Sequence, residues 1–367
     1  MQESSLLIIK PSPETVRHFP DRAAQWLLED PDLFRQFIEL VEPELAKVLD
    51  FSRAKRINRK FVLKDFSEIE HDITYRIPLV DPVTGAERNI FIYTLVEHQA
   101  EPDDDMPLRL SFYINEIYLD QLRQRDKREK RRRQVQAEAG IKRVKRDEVD
   151  KRWLYPVIPI VFFTGAYQWK PSLRLADMMP HLPKSLYRHI FDWDTIFFDL
   201  KSVNKERLLE FGSAMGYALR VWQEELGTIE ELESRVMEAV SGVAGLSEEQ
   251  REQWQRVTWF FVQLIYNRRT EEEYNSLYVK IREETRQSNP EREMEVREMV
   301  LTARQADEQR ASVQIAREML LDGLLAKYES LPSEIENSIK NAEIESLRIW
   351  MRRAMTSERL DEIFARN

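Results

Sequence analysis

The stretch from His71 to Tyr118 constrains this chain more than any other. It holds two apolar runs, Ile73 to Val80 and Ile90 to Val96, separated by a segment beginning Asp81-Pro82-Val83-Thr84-Gly85, whose proline and glycine mark a turn. A β-hairpin follows from that pattern. Pro78 has no amide hydrogen to give to a sheet ladder, so the first strand is expected at an edge or with a bend. An acid stands at one end of each run: Asp72 opens the first, and Glu97-His98-Gln99 closes the second. A helical pattern begins after Asp103-Asp104-Asp105, with Pro107 in its first turn and Leu110, Tyr113, Ile114 and Ile117 on one face.

Strand geometry decides which polar groups can act together. Side chains alternate faces, so Glu97 and Gln99 point the same way as Phe91, Tyr93 and Leu95, and His98 points the other way. In a hairpin, Asp72 comes toward the sheet end where Glu97 emerges, which brings two carboxylates and an amide together. Oxygen donors of this kind suit a hard divalent cation that keeps several waters, one of which can attack a phosphodiester. The alternative is that Asp72 and Glu97 flank strand ends and face solvent. His71 and His98 are each turned away from the neighbouring acid by the same alternation.

Tyr155 to Thr164 is continuously apolar despite Pro156 and Pro159, the pattern of a strand buried on both faces of a helix-covered sheet. Thr195 to Leu200 supplies a fourth strand. Three segments, taken in order, carry a resemblance: His71-Asp72-Ile73-Thr74-Tyr75-Arg76, Leu95-Val96-Glu97-His98-Gln99-Ala100-Glu101-Pro102, and Met106-Pro107-Leu108-Arg109-Leu110 with Tyr113. With Tyr155-Pro156-Val157-Ile158-Pro159-Ile160-Val161-Phe162-Phe163-Thr164-Gly165, this set resembles the core of the Rpn (recombination-promoting nuclease, putative transposase, YhgA-like) family. That family is a branch of the PD-(D/E)XK nucleases, and the similarity covers roughly residues 15 to 200.

The resemblance implies an α/β fold with a restriction-endonuclease-like core, a mixed sheet flanked by helices, followed by an all-α C-terminal region. It implies a metal-dependent DNA endonuclease linked to recombination or mobile elements. Asp72 and Glu97 would hold Mg²⁺ or another divalent cation, with Asp72, Glu97 and Gln99 as the catalytic set. Gln99 stands where most of the superfamily has lysine, although many Rpn-like proteins share Glu-x-Gln; an amide carries no charge and takes up no proton. Arg109 matches the family's Arg-Leu…Tyr pattern, either to clamp a phosphate or to pair with Glu97. The superfamily's first helix often lends an extra carboxylate, for which Glu39, Glu42 and Glu44 are candidates or simply exposed helix residues. The alternative function is a DNA-binding protein that keeps the nuclease fold and cuts weakly or not at all.

Net charge is −9, which by itself argues against a nucleic-acid partner. Its distribution reverses that argument. Arg123 to Arg152 contains 14 Lys or Arg against 6 Asp or Glu. This basic insertion, including Arg131, Arg132, Arg133, Lys142, Arg143, Lys145 and Arg146, can present phosphate contacts to DNA as a flexible segment between core helix and core strand, or can be a solvated linker.

Elsewhere the pattern is mostly helical. Asp21 to Asp50 reads as two helices broken at Asp30-Pro31-Asp32. Three domains are expected: residues 1–200 as the nuclease-like domain, 201–328 as a helical region, and 329–367 as a small helical module of two short amphipathic helices serving assembly or folding. The helical region divides into patterns over 205–240, 248–287 and 291–328, and its aromatics Trp222, Trp254, Trp259, Phe260 and Phe261 are expected in a core. Glu291 to Gln314 is charged on nearly every turn, an exposed or self-associating helix that would make homo-oligomers through the C-terminal helices.

The chain has no cysteine, which excludes thiol nucleophiles, thiolate zinc sites and disulfides. No apolar stretch approaches the ~20 residues that span a bilayer, and the start lacks a basic signal-peptide region, so a cytoplasmic protein without membrane contact is expected. Nothing resembles a phosphate-cradling glycine loop, which argues against a nucleotide-driven motor.

Overall fold

A computed structural model of the chain describes residues 16, 18–57, 60–62, 68–70, 73–80, 87–138, 154–210, 212–328, 330–357 and 359–364. Two compact units emerge, one over residues 17–289 and the other built on residues 290–367.

The first unit opens with α1 (Phe19–Leu28) and α2 (Pro31–Val41). They break where the sequence indicates: the Asp30 side chain accepts from the amides of Asp32 and Leu33 and caps α2, with Pro31 in its first turn. Strands follow as β1 (Lys55–Arg56), β2 (Lys60–Val62), β3 (Glu68–Glu70), β4 (Ile73–Val80) and β5 (Glu87–Gln99). Next come the long helix α3 (Met106–Glu138), then β6 (Val157–Phe163) and β7 (Ile196–Asp199). Five strands form one mixed sheet in the order β1-β4-β5-β6-β7, while β2 and β3 pair separately. β4 and β5 are the expected hairpin, antiparallel with Ile73 opposite Val96; β5, β6 and β7 run parallel. The protein is therefore of mixed α/β class with a mixed sheet.

Pro78 does not mark an edge. β4 lies between β1 and β5, and the register shifts between Pro78 and Leu79, so the strand accommodates its proline by a bend. The two-residue β1 pairs only with Tyr75 and Arg76, which leaves the Pro78 position clear of a β1 partner.

The sheet is buried on both faces, and β6 shows why its residues are apolar without alternation. Ile160, Val161, Phe162 and Phe163 are each at most 1 % exposed. On one face Tyr93 and Val161 join Met106, Leu110, Tyr113, Ile114 and Ile117 of α3 in a single cluster. On the other, the rings of Phe37 and Phe198 pack against Phe162.

The second face is completed by helices beyond residue 200. These are α4 (Ala214–Gln223), α5 (Ile229–Ala244), α6 (Arg251–Arg268) and α7 (Glu271–Ser288). Trp222 of α4 contacts the Phe162 and Phe260 rings. Gln36 of α2 donates to Gln253 Oε1 at 2.8 Å and accepts from the Met215 amide at 2.9 Å. The expected division at residue 200 is thus corrected: the helices to residue 289 share one core with the sheet. The pattern over 248–287 is also two helices, split where Thr270 starts α7 with a capping box to Glu273. Trp222, Trp254, Phe260 and Phe261 are each at most 1 % exposed, so they are core residues.

The second unit comprises α8 (Pro290–Tyr328), α9 (Ser333–Lys340), α10 (Ile344–Thr356) and α11 (Leu360–Ile363). Leu320, Leu324, Ile339, Leu347 and Ile363 form its core, with the Trp350 and Phe364 rings 4.8 Å apart. Three short helices, where two were expected, fold back on the end of α8. No helix among the described residues is long and apolar enough to cross a membrane.

Candidate functional site

The C-terminal end of β5 places Glu97, His98 and Gln99 in three different settings. Glu97 is 2 % exposed and faces α3, where Arg109 Nη2 lies 2.5 Å from its Oε1. Gln99 shares that side, its Nε2 3.4 Å from the same oxygen. His98 turns to the opposite face, as alternation requires.

Arg109 is held from three directions. Its Nη1 donates to Asp103 Oδ2 at 2.7 Å, and its Nη2 also reaches the Tyr113 hydroxyl at 3.3 Å. Asp103 in turn accepts from the Asp105 amide at 2.9 Å just before α3, so the helix start and the guanidinium share one carboxylate. Burial pulls the Arg109 pKa down, and the Glu97 carboxylate with the bonds to Tyr113 and Asp103 outweighs it, so the net direction is upward. Arg109 stays charged, and 39 % of its side chain remains exposed to approach from solvent.

On the other face, His98 bridges three elements. Its Nδ1 is 2.9 Å from Asp21 Oδ1 of α1, its Nε2 is 2.9 Å from Thr164 Oγ1 after β6, and its ring stacks on Trp222 at 5.7 Å. The Thr164 amide donates to the Gln99 carbonyl at 2.9 Å, extending the β5–β6 pairing past the strand end. Gly165 then passes so close that a Cβ there would stand 2.4 Å from the Ala100 carbonyl oxygen. These contacts fix the backbone on which Glu97 and Gln99 sit.

Asp72 lies outside the described residues; the described β4–β5 ladder ends at Ile73 opposite Val96, and Ile73 is the residue that follows Asp72 in sequence. Among the described residues no group of three or more His, Cys, Asp or Glu side chains could hold a metal ion. In kind, the donors fit a hard divalent cation: a buried carboxylate with an amide at its side offers oxygen ligands only. Glu39 pairs with Arg35 on α2, and Glu44 pairs with Lys47 three residues further along the chain.

The basic stretch requires a correction. From Arg123 to Glu138 it continues α3 without a break, so this part is ordered helix and not a flexible insertion. Lys127, Arg128, Lys130, Arg131 and Arg133 are exposed, while Arg132 and Arg133 make ion pairs with Glu129 at 3.3 and 3.0 Å. Lys142, Arg143, Lys145 and Arg146 lie outside the described residues. The sequence pattern marks Asp103 only as a helix start. The signal for its second role is its position six residues before Arg109, where a capping loop can fold back on the first turn.

A mixed sheet whose parallel strands end at a buried carboxylate, held by a guanidinium from the next helix, defines an α/β protein with a polar site at one sheet end. The chain belongs to the family described as Putative transposase, YhgA-like, which matches residues 18–221 and includes the sheet, α3 and most of α4. That membership connects it with mobile-element-related function. No solved structure matches the chain.

Proposed function

We propose that this chain is a metal-dependent DNA endonuclease with a PD-(D/E)XK-type core, acting in recombination or in the movement of mobile elements. The observation that carries the reading is the Glu97 carboxylate, buried at the end of β5 with Gln99 on the same side and Arg109 against it. Family membership supports the choice of DNA as partner. Asp72, next in sequence to Ile73 across from Val96, would supply the second carboxylate. A divalent cation bound by Asp72 and Glu97 would polarise the scissile phosphate and lower the pKa of an attacking water.

The remaining roles fall to this chain's own groups. Arg109, always charged, would stabilise negative charge growing on the phosphate oxygens. Gln99 would donate to the phosphate or orient the water, but its amide cannot accept the proton, which would pass to a substrate phosphate oxygen or to bulk water. The basic end of α3, with Arg131, Arg132 and Arg133, would contact the DNA backbone.

One observation favours a second reading. The guanidinium at 2.5 Å already neutralises Glu97, as a bound cation would, so a DNA-binding protein that keeps the fold without cutting is the competing account. Incubating supercoiled plasmid with the protein and Mg²⁺, Mn²⁺ or EDTA separates the two. Nicking in Mg²⁺ or Mn²⁺ and none in EDTA is the nuclease outcome; retained binding with no nicking under any metal is the other.

A further inference from the structure

Helix α3 joins the candidate site to the basic segment as one rod. Residues 108–138 contain neither proline nor glycine, and pairs such as Arg133 with Glu129 and Gln124 with Asp120 brace the exposed part. Arg109, at the Glu97 end, and Lys127 are eighteen residues apart, about five turns at ~3.6 residues each, so they project from the same face. Arg123, Lys130 and Arg131 fall within about 60° of that direction at ~100° per residue. Between the two basic positions the same face carries Glu116 and Asp120. The Arg123 to Glu116 ion pair at 3.6 Å spans two turns of that face and confirms its alignment.

The face therefore alternates along its length: cationic at Arg109, acidic at Glu116 and Asp120, cationic from Arg123 to Arg131. At about 1.5 Å per residue, Arg109 and Arg131 are roughly 33 Å apart along the axis. A B-form duplex brings the same strand's backbone back to the same side once per turn, about 34 Å, with both grooves and the other strand's backbone between. We infer that α3 is a ruler for duplex DNA: it grips phosphates of one strand a helical turn apart and sets its acidic middle against one of the grooves between them. This rests on the reading of DNA as the partner and adds to it a substrate requirement, a duplex reaching about ten base pairs beyond the phosphate at Glu97.

The test is binding without cutting. Fluorescein-labelled duplexes of about 8, 12, 16 and 20 base pairs are titrated with the full chain in EDTA and followed by anisotropy, since phosphate contacts set the salt-sensitive affinity. Between the shortest and the 16-mer, affinity is expected to rise at least about tenfold beyond the increase in overlapping sites. The double variant Lys127→Ala, Lys130→Ala is expected to remove that step. Inserting seven helix-forming residues after Asp120 adds about two turns, keeps the face and lengthens the rod by about 10 Å, which takes the distal cations off the ~34 Å repeat, so the affinity step is expected to disappear. Affinity that tracks only the number of overlapping sites would overturn the ruler, as would a step that survives in the double variant or in the insertion variant. No binding to any duplex would overturn the DNA reading itself, a different result from binding without a step.

Discussion

Arg109 and Glu97 form an asymmetric pair: Nη2 and Oε1 are 2.5 Å apart, yet the arginine side chain is 39 % exposed and the glutamate 2 %. The buried partner depends on the pair more than the exposed one does. Arg109 also keeps Asp103 at 2.7 Å and Tyr113 at 3.3 Å.

That asymmetry predicts unequal mutants. Arg109→Met deprives a buried carboxylate of its guanidinium and should cost about 3 kcal/mol, whereas Glu97→Gln, which keeps the shape and leaves Arg109 its other acceptors, should cost less than half of that. Urea unfolding of both variants checks the order. If Glu97 is a metal ligand, Mg²⁺ should raise the melting temperature of Arg109→Met by more than that of the wild type, because the cation replaces the lost charge.

His98 is expected to matter for folding. His98→Leu strips a partner from the Thr164 hydroxyl, a residue 2 % exposed, and should destabilise by about 2 kcal/mol; Asp21, with a side chain 52 % exposed, turns to water at little cost. His98→Gln, whose amide can address both neighbours, should recover part of the loss. Equal stability of the leucine variant and the wild type would contradict the bridge.

Gly165→Ala places a methyl 2.4 Å from both the Ala100 carbonyl oxygen and the Phe163 ring. Overpacking of this kind should cost about 1–3 kcal/mol and disturb the Thr164 to Gln99 hydrogen bond beside the site. Chemical denaturation reads the first effect, and cleavage or DNA binding reads the second.

Neutralising Arg131, Arg132 and Arg133 together should lower the slope of log affinity against log salt by up to about three, since each phosphate left without its cation lowers it by about 0.9. An unchanged slope would remove these residues from the interface.

Much of this was legible in the sequence because the physics is local. The alternation of Glu97, His98 and Gln99, the face of α3 from Leu110 to Ile117, and the break at Asp30-Pro31 each follow from periodicity or capping. The bend at Pro78 is one of two outcomes the residue allows, and only pairing with β1 and β5 selects it. The division of domains was illegible for a different reason. Helices α4 to α7 look self-sufficient in pattern, and only contacts distant in sequence, such as Trp222 on Phe162 and Gln36 on Gln253, join them to the sheet. Charge density in the Arg123 to Glu138 segment points to flexibility, while its lack of helix breakers and its i, i+4 pairs favour continuation of α3. The link from Asp103 to Arg109 depends on how a loop closes, which composition does not encode.

The central claim is that Glu97 is a catalytic carboxylate, and single-turnover cleavage of supercoiled plasmid in Mn²⁺ by wild type beside Glu97→Gln tests it most directly. The account predicts metal-dependent nicking by the wild type and a loss of at least about a hundredfold in the variant, which stays folded at the assay temperature and retains DNA binding. Equal nicking by a folded Glu97→Gln protein would contradict it.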